Sequence, residues 1–234
     1  MSNIITSKIL YKLALETANK ISLEQNKLKN IKWTEGEANL DTEFSKLACE
    51  CCVNSWNQLK SGTNYQNIQI QCSIPDINIK FILPNNQVIY KKIELKSSTK
   101  NIIPGSTINN LDINQPLIFC LRPNDKNGIY QIRCSLYHHA MGTNDYETFQ
   151  DRTPRPKINF NKMEPLDNYQ KYQKKSKSHW INHYAECALN RVNNNCNHSW
   201  QDDLVKQIQH KTINNYIKNT SLEDFMKMKN QMEQ

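Results

Sequence analysis

No stretch of the sequence approaches the roughly 18 consecutive apolar residues that a membrane-spanning helix needs, so a helical span is not expected. The opening MSNIITSKILYKLALETANK has neither a long apolar centre nor a small-residue cleavage site. It reads as a helix of the fold, not as a signal peptide. Paired Cys-x-x-Cys knuckles are also missing. Cys187, Cys196 and His198 in CALNRVNNNCNH lack a fourth ligand, which argues against zinc. Most of the eight cysteines lie in apolar stretches (SKLACECCV, LIFCLRP, IRCSL), where a thiol behaves as a small hydrophobe. Reduced core cysteines are therefore expected, in a cytoplasmic protein of a bacterial or virus-infected cell. No internal repeat is present. At 234 residues and 38% hydrophobic content, the chain can bury one sizeable core.

What the sequence does have is positive charge. The formal net charge is +8 and the pI about 9.0, a balance that favours polyanionic partners through counterion release. The charge is uneven. Arg155, Lys157, Lys162, Lys171, Lys174, Lys175 and Lys177 stand against Glu164 and Asp167, a local net of +5. Tyr169, Tyr172 and Trp180 interleave with these cations, as a nucleic-acid-facing segment would, although a solvated connector has the same composition.

Periodicity predicts a helix over residues 4–29 and a second over about 34–59, whose stripe comprises Leu40, Phe44, Leu47, Ala48, Cys51, Ser55, Trp56 and Leu59. YQNIQIQCSI alternates as a strand, and a strand pair around PNN follows. QPLIFCLRP and GIYQIRCSLYHHAM supply two more strands. Residues 143–180 are polar and proline-punctuated, and a loop is expected there. Three C-terminal helices follow over 181–234, with Ser199 and Ser221 as N-caps, packed on the same domain as residues 1–142. The fold class is thus α/β (α+β), with a central mixed sheet flanked by helices and a C-terminal helical extension.

The strand pair carries the most informative pattern, IPDINIKFILPNNQVIYKKIELKSS. Ile77, Ile79, Phe81 and Leu83 alternate with Asp76, Asn78 and Lys80 on the first strand. Ile89, Ile93 and Leu95 alternate with Lys92, Glu94 and Lys96 on the second. Residues directly opposite in an antiparallel pair share a face, so burying both apolar sets requires odd residues to oppose odd ones. A three-residue loop, Pro84-Asn85-Asn86, achieves this by placing Leu83 opposite Gln87, with Asn86 tolerating the left-handed conformation. Asp76 then falls opposite Glu94, and Lys96 projects from the same face. Two carboxylates and an ammonium converge, and burying them requires compensation. Mg²⁺ is one such compensation, and the arrangement suits phosphodiester hydrolysis.

Pro75-Asp76 and Glu94-Leu95-Lys96, followed by Ser97-Ser98, resemble the signature of the PD-(D/E)xK nuclease superfamily, the restriction-endonuclease-like fold. The resemblance covers roughly residues 34–135. It implies that Asp76 and Glu94 bind the metal with the carbonyl of Leu95, and that Lys96 positions or activates the attacking water. Members often add an acid from the preceding helix. Glu43 is the choice here, with Glu35, Glu37 and Glu50 as rivals. The Gln-x-x-x-Tyr helix of exonuclease-like branches is absent. STKNIIPGSTINNLDINQPLIF stands in its place, which favours site-specific cleavage over processive digestion.

Ser97, Ser98, Lys100 and the Gly105-Ser106-Thr107 turn are candidate DNA contacts, together with Arg122, Arg152 and Arg155. His138 and His139 are expected to end a strand with their rings on opposite sides, so neither is assigned to the site. The expected protein is a Mg²⁺-dependent DNA endonuclease of the type II restriction class. Mn²⁺ is a possible substitute, double-stranded DNA the substrate and a homodimer the assembly. The alternatives are a structure-selective repair or junction nuclease, a catalytically silent DNA-binding module, and an RNA-binding protein using residues 155–180.

Overall fold

The computed structural model of the protein describes residues 5–33, 42–106, 112–125, 127–141, 156–176 and 210–211. The chain divides into two compact units, Met1–Tyr184 and Ala185–Gln234. Of the second unit only His210 and Lys211 are described. The C-terminal helices, the caps Ser199 and Ser221, the Cys187/Cys196/His198 cluster, Arg152 and Arg155 therefore lie outside the described residues.

The amphipathic N-terminal stretch forms α1 (Ser7–Leu23) and a short α2 (Gln25–Asn30) in place of the single helix predicted over 4–29. The break has a local cause. Gln25 donates from its amide to the carbonyls of Ser22 (2.9 Å) and Tyr130 (3.0 Å) and accepts from the Tyr130 N–H (3.0 Å). These side-chain bonds compete with continuation of the helix at Glu24, whose N–H turns back to the Ile21 carbonyl. In helix α3 (Thr42–Lys60) the stripe residues Phe44, Leu47, Ala48, Cys51, Ser55 and Trp56 are buried and Leu59 is partly buried, while Leu40 lies outside the described residues.

Strands β1 (Gln69–Ser73), β2 (Ile77–Ile82) and β3 (Val88–Ser98) form an antiparallel meander. Strand β5 (Pro116–Leu121) returns parallel to β3, and β6 (Gln131–Leu136) pairs antiparallel with β5. The result is a five-stranded mixed sheet of order β1-β2-β3-β5-β6, flanked by helices. A parallel return needs a crossover, usually helical. Here residues 99–115 make it, and among the described ones the only regular element is β4 (Ile102–Pro104).

Strand β4 pairs antiparallel with β7 (Lys157–Asn159), which adds a short strand to the loop expected over 143–180. Residues 156–176 form β7, two 3₁₀ turns (Phe160–Lys162 and Leu166–Asn168) and an extended strap. The strap is anchored: Tyr11 donates to the Gln170 carbonyl at 2.8 Å, and Asn114 and Lys175 exchange bonds of 2.9 and 2.8 Å. The expectation of a strand through His139 also fails. Strand β6 stops at Leu136 and α4 (Tyr137–Ala140) begins, because the Tyr137 and His138 N–H groups bond the Gln115 and Ile113 carbonyls.

The sheet separates two apolar clusters. On one face Ile77, Ile79, Phe81, Ile93 and Leu95 meet α1 and α3 through residues such as Leu13, Phe44 and Trp56. Burying a side chain of this size stabilises by about 1.5–3 kcal/mol. The other face carries a smaller cluster that includes Leu117, Phe119, Tyr137, Ile158 and Phe160. The six described cysteines are free thiols, four of them buried, and burial pushes the Cys134 thiol upward.

His139 is half-buried beside His138, with ring centroids 4.0 Å apart. Burial first, then the positive charge of His138 and Lys175, lowers its pKa from 6.5 to about 4. The unfolded chain therefore takes up this proton first as the pH falls. The stability His139 contributes is complete above pH 6.5 and is lost between 6.5 and about 4. The urea midpoint should fall through that window, and His139→Gln should flatten the fall. An unchanged slope in the variant would contradict the assignment.

Candidate metal-dependent hydrolytic site

Strand alternation puts Lys92, Glu94 and Lys96 on the face of β3 opposite to Ile93 and Leu95. Glu94 and Lys96 pair with Leu117 and Phe119 of β5, so they lie on the side of the smaller cluster. The hairpin register is the one parity requires. Ile82 pairs with Val88 and Ile77 with Ile93, which puts the next pair outward at Asp76 and Glu94. The Leu83 N–H bonds the Gln87 carbonyl at 2.9 Å, and Asn86 has φ +62°, as the three-residue loop demands. Asp76 follows a cis Ile74–Pro75 bond and has φ +58°, a left-handed conformation that aspartate tolerates better than most residues. Its Oδ1 accepts from the Leu95 N–H at 2.9 Å, which locks the carboxylate onto the facing strand.

Glu94 is 4% exposed. Its Oε1 accepts from the Lys96 ammonium at 2.6 Å and from the Ser106 hydroxyl at 2.8 Å. Its Oε2 lies 3.0 Å from the Lys92 ammonium, which also lies 2.9 Å from Asp76 Oδ2. Burial alone would raise the Glu94 pKa, but Lys96 and then Lys92 outweigh it and hold the carboxyl below its ordinary value. Burial likewise works against the Lys92 cation, yet the hydrogen bond it donates to Asp76 and the charge of Glu94 raise its pKa overall. Both groups stay charged at neutral pH, and the four side chains sum to zero formal charge.

The crossover roofs the site from the second face. Gly105 N–H bonds the Pro156 carbonyl, and Ser106 N–H donates to the Tyr137 hydroxyl. Ser106, expected as a DNA contact, is thus tied to Glu94, and Tyr137 holds Ser106. Neither link has a sequence signal beyond the polarity of the turn. Lys92 was also not assigned to the site, although its i−2 position to Glu94 put it on the same face.

The remaining candidates are dispersed. Glu43 accepts from the Lys32 N–H at 2.9 Å. The α3 residue Cys49 reaches the Pro75–Asp76 turn, with Sγ 3.9 Å from the Asp76 carbonyl. Glu43 lies six residues, about 9 Å of helix, before it. A helix acid completing the cluster is therefore not found at Glu43, whose carboxylate instead binds the connector after α2. Ser97 faces away from Lys96 by alternation, and Ser98 Oγ accepts from the Lys100 N–H at 2.9 Å. Arg122 lies with its guanidinium 5.0 Å from the centre of the Trp33 ring, a cation–π contact that gives it a structural role.

Among the described residues no group of three or more His, Cys, Asp or Glu side chains gathers as a metal site. Two carboxylates do converge on one cationic atom, and Mg²⁺ commonly needs only one or two carboxylates because it keeps several waters. The donor set therefore fits Mg²⁺ if the Lys92 ammonium leaves. No helix among the described residues is long and apolar enough to cross a membrane. Comparison with protein-family models, curated proteins and solved structures finds no match for the chain.

Proposed function

We propose that this chain is a Mg²⁺-dependent DNA endonuclease of the PD-(D/E)xK type. The single observation that supports this reading is the convergence of Asp76 Oδ2 and Glu94 Oε2 on one cation, with the Lys96 ammonium 2.6 Å from the other Glu94 oxygen. Asp76 and Glu94 would hold the ion with the Leu95 carbonyl. When bound, Mg²⁺ or Mn²⁺ neutralises charge that builds on the phosphoryl group. Lys96 would orient the attacking water and donate to the developing oxyanion. Ser106 and the Leu95 N–H keep the two carboxylates aimed. The product would be a 5′-phosphate and a free 3′-hydroxyl.

Within this class we favour a type II restriction enzyme acting as a homodimer, since cutting both strands of a palindrome needs two related sites. The net charge of +8 suits a duplex partner. Digestion of a mixed plasmid library with Mg²⁺, and with EDTA, tests the reading. Discrete bands that vanish with EDTA are expected; a Mg²⁺-dependent smear indicates a structure-selective nuclease instead. One observation favours a second reading, a silent DNA-binding module: Lys92 already neutralises the carboxylate pair. That reading gives retarded but uncut DNA in the same experiment.

A further inference from the structure

The four oxygens of Asp76 and Glu94 are not equivalent. Asp76 Oδ1 is fixed by the Leu95 N–H, and Glu94 Oε1 by Lys96 and Ser106. Both sets of partners belong to the framework of the sheet and its crossover. The other two oxygens, Oδ2 and Oε2, are served among the described residues by Lys92. Removing Lys92 would therefore leave the carboxylates aimed at the point its nitrogen had occupied.

Lys92 is also the most accessible member of the group. Its side chain is 41% exposed, against 21% for Asp76, 20% for Lys96 and 5% for Glu94. A half-exposed ammonium on a four-carbon stem gives up ion pairs at modest cost, because water replaces them. A hard divalent ion prefers carboxylate oxygens and cannot share that point with an ammonium.

We infer that Lys92 is an internal counter-cation that occupies the metal position in the metal-free protein and is expelled when a divalent ion binds. The inference rests on the proposed metal-dependent reading of the same site. Lys92 is a positioning residue: it keeps two like charges together until the ion arrives. Once expelled, its ammonium stands at the mouth of the site, where it can meet a phosphate. Metal and polyanion then select the same Lys92-out state, so each strengthens the binding of the other.

The test measures Mn²⁺ affinity by electron paramagnetic resonance, without DNA and without turnover. Lys92→Met should bind Mn²⁺ ~10-fold more tightly than the unaltered protein, the size expected from losing two partly exposed ion pairs. Lys91→Met removes the same charge from the opposite side of the strand and should change affinity far less. Adding Asp76→Asn to Lys92→Met should abolish the gain. A second measurement needs no variant: competitive acylation followed by mass spectrometry should show Lys92 reacting several-fold faster at saturating Mn²⁺. Equal affinities for the Lys92 and Lys91 variants, or acylation of Lys92 indifferent to Mn²⁺, overturns the proposal. So does absence of Mn²⁺ binding in every protein. Tighter Mn²⁺ binding by Lys92→Met with no cutting of DNA sinks the nuclease reading alone, whereas cutting with an inert Lys92 sinks this proposal alone.

Discussion

Asp76→Asn is expected to abolish Mg²⁺-dependent cleavage while leaving the fold in place. The amide keeps an oxygen for the Leu95 N–H, and asparagine tolerates the φ of +58° at least as well as aspartate. What is lost is the negative charge that faces the cation position. The single-turnover rate should fall by ~10³-fold or more, the scale of losing one electrostatic stabiliser in a preorganised site. Glu94→Gln should cost a similar factor in rate but also stability. It leaves the ammoniums of Lys96 and Lys92 beside a neutral amide, where both now have a carboxylate at 2.6 and 3.0 Å. Because those lysines are partly exposed, the penalty should be about 2 kcal/mol, below that of a fully buried broken pair. Equal rates for Asp76→Asn and the unaltered protein would remove Asp76 from the chemistry.

The second large effect is expected from a substitution that neither adds nor removes a charge. A Cβ placed on Gly105 would meet the Pro156 carbonyl at 2.5 Å and, closer still, the Tyr137 hydroxyl. One obstacle is backbone and the other is the head of a side chain that is 1% exposed. Neither can move without disturbing the β4–β7 pair or α4. Gly105→Ala should therefore destabilise the protein by about 2 kcal/mol, as overpacking of a filled site does, and lower the melting temperature by several degrees. It should also reduce activity, since Ser106 is displaced with the turn and Glu94 Oε1 loses the 2.8 Å bond. Ser106→Ala separates the two consequences: it removes that bond and spares the packing, so activity should fall with the melting temperature nearly unchanged.

The hairpin was legible in the sequence because a period-2 pattern permits only one parity of pairing once both apolar sets share a face. The three-residue loop followed from Pro84 and Asn86, and the facing of Asp76 and Glu94 followed from the loop. Lys92 was legible only in part. Alternation places it beside Glu94, but which oxygens a flexible ammonium reaches depends on Leu95, Lys96 and Ser106 having claimed the others.

The β4–β7 pair was hidden for a different reason. Ile102–Pro104 and Lys157–Asn159 are three residues each, too short for periodicity, and their partnership is non-local. The end of β6 at Leu136 is set likewise by two carbonyls that precede β5. Glu43 shows the limit of helix-face arguments. Its spacing allowed a place near the site, but the Lys32 N–H, in the connector that follows α2, captures its carboxylate.

The most direct measurement is anomalous X-ray scattering from crystals of the protein grown with Mn²⁺. A peak between Asp76 Oδ2 and Glu94 Oε2, with the Lys92 ammonium withdrawn from both, is the predicted result. Crystals saturated with Mn²⁺ that show no peak there, and Lys92 still bridging the two carboxylates, would contradict it.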